Sequence, residues 1–173
     1  MSLIKRIAII GPESTGKSVL STELAQALNG GLVIEMARSY LDQIKRPYVE
    51  EDLLNIARLQ VEEEDRIEAK TSSGYLICDT NLIVIKIWSI YKYGRCHAWI
   101  EEELIRRTYH LHLLCNIDLP WQDDPQREHP HLREYLFNVY HKTAIDLKIT
   151  YEIITGTENK RMENALKSIH LLC

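Results

Sequence analysis

The sequence predicts an α/β fold, a five-stranded parallel sheet covered by helices on both faces, and three observations predict it. Five short apolar runs are spaced along the chain, stretches of helical periodicity separate them, and a glycine-bracketed loop, Gly11 to Ser18 (G-P-E-S-T-G-K-S), follows the first run. Strands that alternate with helices are joined by right-handed crossovers, which make neighbouring strands parallel and put helices on both sheet faces. At 173 residues the chain fits a single domain, residues 1–173, with one sizeable core.

The first strand, Ile7 to Ile10, is apolar at every position, as a strand buried on both faces requires. A helical stretch, Val19 to Leu28, follows the loop, and the second strand is Leu32 to Ile34. Glu50 to Lys70 is heavily charged, yet Leu53, Ile56, Ala57, Gln60, Val61 and Ile67 keep one stripe mostly apolar, so a helix with a solvated charged face is expected. The third strand is Tyr75 to Cys78. Asn81 to Tyr93 contains Ile83-Val84-Ile85-Lys86-Ile87, which has strand-like composition. Parallel neighbours need a crossover there, and Gly94 stands where a helix ends in a left-handed residue, so the segment reads as helix. The fourth strand is Leu111 to Cys115. Asn116 to Pro130 carries three prolines and no periodicity, and reads as a loop. The spacing of Leu132, Leu136, Val139 and Thr143 predicts a helix, Tyr151 to Ile154 the fifth strand, and Met162, Ala165, Leu166 and Ile169 a last helix.

Composition narrows the function classes. Hydrophobic residues make up 45% and charged residues 27% of the chain, and no apolar stretch is long enough to span a membrane. No export signal precedes the glycine loop, so a cytoplasmic protein without a membrane partner is expected. The formal charge of -4 argues against a surface built mainly for nucleic acid. Nothing indicates a homo-oligomer. Cys78, Cys96, Cys115 and Cys173 lack C-x-x-C spacing, and Cys78 and Cys115 lie in strand runs where a thiol behaves as a small hydrophobe. His110, His112, His129 and His131 form H-x-H pairs, without the Cys or carboxylate spacing of a closed zinc site.

The chemistry concentrates at the loop. Gly11, Gly16, Lys17 and Ser18 satisfy G-x-x-x-x-G-K-[ST], between an apolar strand and a helix that Val19 continues. Backbone N–H groups of Glu13, Ser14 and Thr15 would wrap an anion, with the helix N-terminus facing it. Lys17 would reach the β- and γ-phosphates of ATP, and Ser18 would offer Mg²⁺ a hard oxygen ligand. A glycine-rich turn that only starts a helix is the structural alternative. Asp79, at the tip of the third strand, is a second candidate for the metal; it could also cap the following helix, as could Thr80 and Asn81. Glu35 follows the second strand and Arg38 lies three residues on, so both can rise above the sheet edge where ligands collect. Glu35 could accept the proton of an attacking hydroxyl and Arg38 could clamp phosphate or substrate, unless the two form an ordinary surface pair. Residues 116–133 offer Trp121, Asp123, Asp124, Arg127 and Arg133, either as a lid that closes over a nucleotide or as a solvated Pro-rich loop.

Four motifs occur in order: G-P-E-S-T-G-K-S, E-M-A-R-S-Y at Glu35 to Tyr40, C-D-T-N at Cys78 to Asn81 with K-I-W-S at Lys86 to Ser89, and I-D-L-P-W at Ile117 to Trp121. Together they resemble the nicotinamide riboside kinase domain of NadR-type proteins, within the AAA-like P-loop kinases. The resemblance implies a P-loop kinase three-layer sandwich with a lid, ATP and Mg²⁺ as cofactors, and phosphorylation of the 5′-hydroxyl of nicotinamide riboside. By resemblance Lys17, Glu35, Asp79 and Arg127 are catalytic, Arg127 and Arg133 belong to the lid, and Glu35, Arg38, Asp79, Trp88, Trp121 and Asp124 bind substrate. Relatives carry an aromatic beside the first acidic residue of the second motif, whereas Ile34 and Met36 flank Glu35 here, which leaves the ring surface to Trp88 or Trp121. Pro125-Gln126 replaces a glycine of the relatives' lid and stiffens it. The resemblance covers the kinase step and not the adenylyltransferase or DNA-binding parts of multidomain NadR proteins. A kinase of another nucleoside or vitamin-like alcohol, and a non-catalytic ATP-binding regulator, are the competing readings.

Overall fold

A computed structural model of the protein describes residues 4–127 and 130–173. His129 and the start of the chain lie outside the described residues. Five strands form one all-parallel sheet in the order β2-β3-β1-β4-β5: β1 (Lys5–Ile10), β2 (Gly31–Val33), β3 (Tyr75–Asp79), β4 (Leu111–Cys115) and β5 (Tyr151–Ile154). The central strand β1 has β3 on one side and β4 on the other, so the crevice beyond its C-terminal end is where an open α/β sheet gathers ligands.

Alternate residues of β1 face different layers. Ile7 and Ile9 pack under α1 (Lys17–Ala27) and α7 (Glu158–Leu172) through Leu20, Leu24, Ala165 and Ile169. Ala8 and Ile10 face α4 (Leu82–Tyr93) and α6 (Arg133–Asp146) through Ile83, Val84, Leu136 and Tyr140. All four β1 residues are fully buried, which is why the run reads as continuously apolar. Gly94 caps α4 with φ of 70°, as its position predicted. A 3₁₀ turn, Pro130–Leu132, leads from the loop after β4 into α6.

Three further helices complete the face that carries α4. These are α2 (Met36–Ile44), α3 (Glu50–Glu68) and α5 (Ala98–Arg106), with Leu53, Ile56 and Ala57 of α3 packed on Leu82, Ile85 and Ile100. The expectation that the charges of α3 are all solvated is corrected at Asp52 and Glu64. Asp52 folds back to accept from the Val49 N–H and takes a bidentate bond from Arg46, which holds its carboxyl well below the usual range. Glu64 is wholly buried and accepts from Arg107 Nη1 at 3.0 Å and from the Tyr109 hydroxyl at 2.8 Å. A buried carboxylate needs such partners because desolvation otherwise disfavours its charge. Cys78 and Cys115 are buried free thiols, as expected, and Cys96 and Cys173 are free as well. Among the described residues no helix is long and apolar enough to cross a membrane.

His112 is buried in β4, where its Nδ1–H donates to the Thr150 carbonyl at 3.2 Å. Burial lowers its pKa from 6.5 to about 4. Its contribution to stability is therefore complete above about 6.5 and is lost as pH falls through about 4. That amounts to about 3 kcal/mol. His112→Asn should flatten the decline of Tm between about pH 6.5 and pH 4 in thermal denaturation, and an unchanged slope would count against this burial effect.

Candidate functional site

The chain leaves β1 through a tight turn. Gly11 has φ of 138°, and a Cβ there would lie 3.0 Å from the Cys115 carbonyl oxygen, so the turn can press against β4 only without a side chain. Ser14 and Gly16 also have positive φ, at 56° and 74°. Left-handed residues set among ordinary ones turn successive N–H groups toward one concavity. Gly16 is the N-cap of α1 and offers no side chain to satisfy the first amides of the helix, which leaves them facing that concavity. Lys17 Nζ and Thr15 Oγ1 both donate to the Pro12 carbonyl at 2.8 Å, folding the loop on itself. Val19 lines the same cavity and is exposed.

At the tip of β3, Asp79 lies in register with Ile9 of β1, and the Thr80 N–H donates to the Ile9 carbonyl at 3.0 Å. Of the three candidate caps for α4, Asn81 is the one used: its Oδ1 accepts from the Ile83 N–H at 3.0 Å. Asp79 is left for other work. Its Oδ1 is buried with no hydrogen-bond partner among the described residues. Burial raises its pKa, while the Ser18 and Ser21 hydroxyls and Lys17 pull the other way. An orphaned carboxylate oxygen beside a serine hydroxyl is a hard-oxygen donor set that fits Mg²⁺. Thr80, which follows Asp79, is a β-branched residue at φ of 70°, a strained conformation typical of functional sites.

Glu35 is the N-cap of α2 but does not cap it with its side chain, so the carboxylate is free for the cavity it lines. Its pKa is raised, first by desolvation; Lys17 and Arg38 lower it, whereas Asp79 and Glu13 raise it further. Gln60 of α3, almost fully buried, brackets this residue by accepting from the Met36 N–H at 3.0 Å and donating to the Ile34 carbonyl at 3.4 Å. A polar residue in an otherwise apolar stripe was the sequence signal for that contact.

The loop after β4 lies across the opening. The Gln122 N–H donates to Ser14 Oγ at 2.8 Å, Arg38 pairs with Asp124 at 3.0 Å, and Gln126 Nε2 donates to Asp42 at 2.6 Å. The segment thus ties the glycine loop to α2. Arg127 donates to the Gln122 carbonyl at 2.5 Å and lines the cavity beneath. Arg133, just after the loop, opens α6, and its Nη2 donates to the Ser14 and Leu119 carbonyls at 3.0 and 2.9 Å. Arg161 of α7 was not anticipated; its guanidinium meets five acceptors, Thr15 O and Asn116 O among them. Only a contact between residues 146 positions apart reveals it, so no local pattern could have announced it.

These elements enclose one cavity of about 710 Å³. Its lining includes Glu13, Lys17 and Ser18 of the glycine loop, Glu35 and Arg38, and Leu41, Ile56, Val84 and Trp88 with Tyr48. Trp88 is brought to this wall. Trp121 is not, and its indole N–H donates to Asp123 at 2.9 Å; Asp79 and Asp124 also stand behind the lining.

A family model described as AAA domain matches residues 6–161. No protein of curated function matches the chain in sequence. The fold is similar to that of NadR protein in complex with NR, at 16% identity and a TM-score of 0.84, over 98% of this chain and 51% of that one. It is similar also to NadR protein in complex with NAD and AMP-PNP, at 15% identity and a TM-score of 0.79, over 98% and 50%. Thymidylate kinase from Ehrlichia chaffeensis matches at 17% identity and a TM-score of 0.69, over 99% and 100%. The chain spans about half the length of the NadR chains. The architecture is that of a P-loop kinase fold.

The raised pKa of Glu35 has a consequence for stability. A carboxyl whose folded-state value is raised contributes stability that is present below about 4.5 and is lost as pH rises through the folded value. Glu35→Gln should therefore melt at a higher temperature than the parent at about pH 8, with the gap closing toward about pH 4.5. Equal melting at both pH values would contradict the desolvation of this group.

Proposed function

This chain belongs to the AAA domain family, and on that premise we propose that it is an ATP-dependent kinase that phosphorylates the 5′-hydroxyl of nicotinamide riboside. The observation that carries the reading is one cavity lined both by Lys17 of the glycine loop, whose charge acts on Glu35, and by apolar side chains that include Trp88. A phosphate chain suits the glycine loop and a flat ring the apolar lining. Nicotinamide riboside presents a cationic ring, and the face of Trp88 suits such a group. The likeness of fold to NadR protein in complex with NR supports the same acceptor.

In this account the amides of Glu13, Ser14, Thr15 and Gly16 hold the triphosphate, and Lys17 swings from the Pro12 carbonyl to the β- and γ-phosphates. Ser18 and Asp79 would hold Mg²⁺, which when bound neutralises phosphate charge. Glu35 accepts the proton of the ribose hydroxyl as its oxygen bonds the γ-phosphorus and the bond to the β-phosphate oxygen breaks, giving a phosphomonoester and ADP. Arg38 positions substrate, Arg127 approaches the transferring group, and residues 116–133, with Asp124 bound to Arg38, form the lid of a single domain 1–173. The buried free thiols Cys78 and Cys115 suit a reducing, cytoplasmic setting.

Purified protein with Mg-ATP should release ADP in step with formation of nicotinamide mononucleotide. Lys17→Ala should lower kcat by about 10²–10³-fold. Glu35→Gln should lower it by about 10²–10⁴-fold while ADP binding is kept. Because Glu35 must be ionised, the rate should fall on the acid side at a pH above the ordinary carboxylate range. Turnover on another alcohol and none on nicotinamide riboside would replace the acceptor; bound nucleotide with no acceptor turnover would replace catalysis by regulation.

A further inference from the structure

Two arginines from different helices grip adjacent carbonyls of the glycine loop. Arg133 Nη2, at the start of α6, donates to the Ser14 carbonyl at 3.0 Å and to the Leu119 carbonyl at 2.9 Å. Arg161 Nη2, in the first turn of α7, donates to the Thr15 carbonyl at 2.9 Å and to the Asn116 carbonyl at 2.8 Å. Its Nη1 donates to Asp118 Oδ1 and the Ile154 carbonyl, each at 3.0 Å, and to the Gly156 carbonyl at 3.2 Å, so the guanidinium is fixed to the ends of β4 and β5. Arg161 is 4% exposed.

The geometry of the peptide unit gives these bonds a second effect. In a trans peptide the C=O and the following N–H point in opposite directions within one plane. The Ser14 carbonyl shares its plane with the Thr15 N–H, and the Thr15 carbonyl with the Gly16 N–H. A guanidinium that holds each carbonyl on the outside of the loop therefore turns the paired N–H to the inside. Ser14 and Gly16 have positive φ, so these planes are held in a conformation that solvent alone would not select for serine. Burial, then the charges of Arg127 and Arg161, lower the pKa of Arg133, while Asp118 opposes them. The Nε–H groups of Arg133 and Arg161 are both buried without a partner among the described residues. A phosphate in the concavity offsets that excess of positive charge.

We propose that Arg133 and Arg161 are positioning residues that pre-aim the Thr15 and Gly16 amides into the phosphate cradle. The proposal rests on the reading that the loop holds phosphates.

The test uses the full chain, labelled with ¹⁵N and titrated with inorganic pyrophosphate and with ADP. In the parent protein the amide signals of Thr15, Gly16, Lys17 and Ser18 should all shift. Arg161→Lys keeps the charge but replaces the planar fork with a point donor, and Arg133→Gln removes the charge from a half-buried site. Each should weaken pyrophosphate binding about tenfold or more, with Arg133→Gln abolishing the Thr15 shift and Arg161→Lys the Gly16 shift, while Lys17 and Ser18 still respond. The KM for ATP should rise in both, with the KM for the acceptor unchanged. A folded variant that binds like the parent, with all four amides responding, overturns the proposal. So does full binding in Arg161→Lys with loss only in Arg161→Gln, since charge alone would then suffice. If Arg161→Lys does not fold, Arg133→Gln decides by the same criteria. A parent protein that binds neither pyrophosphate nor ADP removes the phosphate-cradle reading itself, which no behaviour of the variants could imitate.

Discussion

Positive potential accumulates where the chain turns out of β1. The uncapped start of α1, the amides of a loop with three left-handed residues, Lys17 and the guanidinium groups of Arg127, Arg133 and Arg161 all converge on one mouth of the sheet. Water is partly excluded there, so these fields are stronger than at an open surface. The acidic groups set against them include Glu13, Asp118, which pairs with Arg161 at 3.0 Å, and Glu35 and Asp79, both buried enough that desolvation raises their pKa values despite the nearby lysine.

The rest of the architecture holds that mouth in shape. Gln60 fixes the backbone on both sides of Glu35, so the packing of α3 against α4 sets the height of the carboxylate above the sheet. Arg161 joins the glycine loop to the ends of β4 and β5, and the Gly156 N–H donates to the other oxygen of Asp118 at 2.6 Å. The segment after β4 contacts both sides, through Ser14 and through the Arg38–Asp124 pair. The Arg38 side of the Arg38–Asp124 pair is half exposed, so the pair is weak by itself.

The central strands β1, β3 and β4 were legible because their neighbours bury both faces, and burial writes a largely continuous apolar run such as Ile7 to Ile10. The glycine loop was legible because positive φ and close approach restrict Gly11 and Gly16 to one residue type. Gly94 and the tip of β3 at Asp79 followed from similar local rules. Helices α2 and α5 were harder to see: α2 has no fully buried residue and α5 has two, so the apolar stripe that marks a helix is thin. Gln60 and Glu64 fall one turn apart in the apolar stripe of α3, a signal that polar groups there have buried partners, though not which ones. Arg161 and the strained Thr80 depend on contacts distant in sequence, and nothing in their immediate neighbours encodes them.

A crystal structure of the protein with Mg²⁺, a non-hydrolysable ATP analogue and nicotinamide riboside tests the central claim most directly. The account predicts the triphosphate inside the turn after β1, and the ribose 5′-oxygen within about 3 Å of a Glu35 oxygen and in line with the terminal phosphorus. A triphosphate bound elsewhere, or a Glu35 carboxylate turned away from an ordered acceptor, would contradict it.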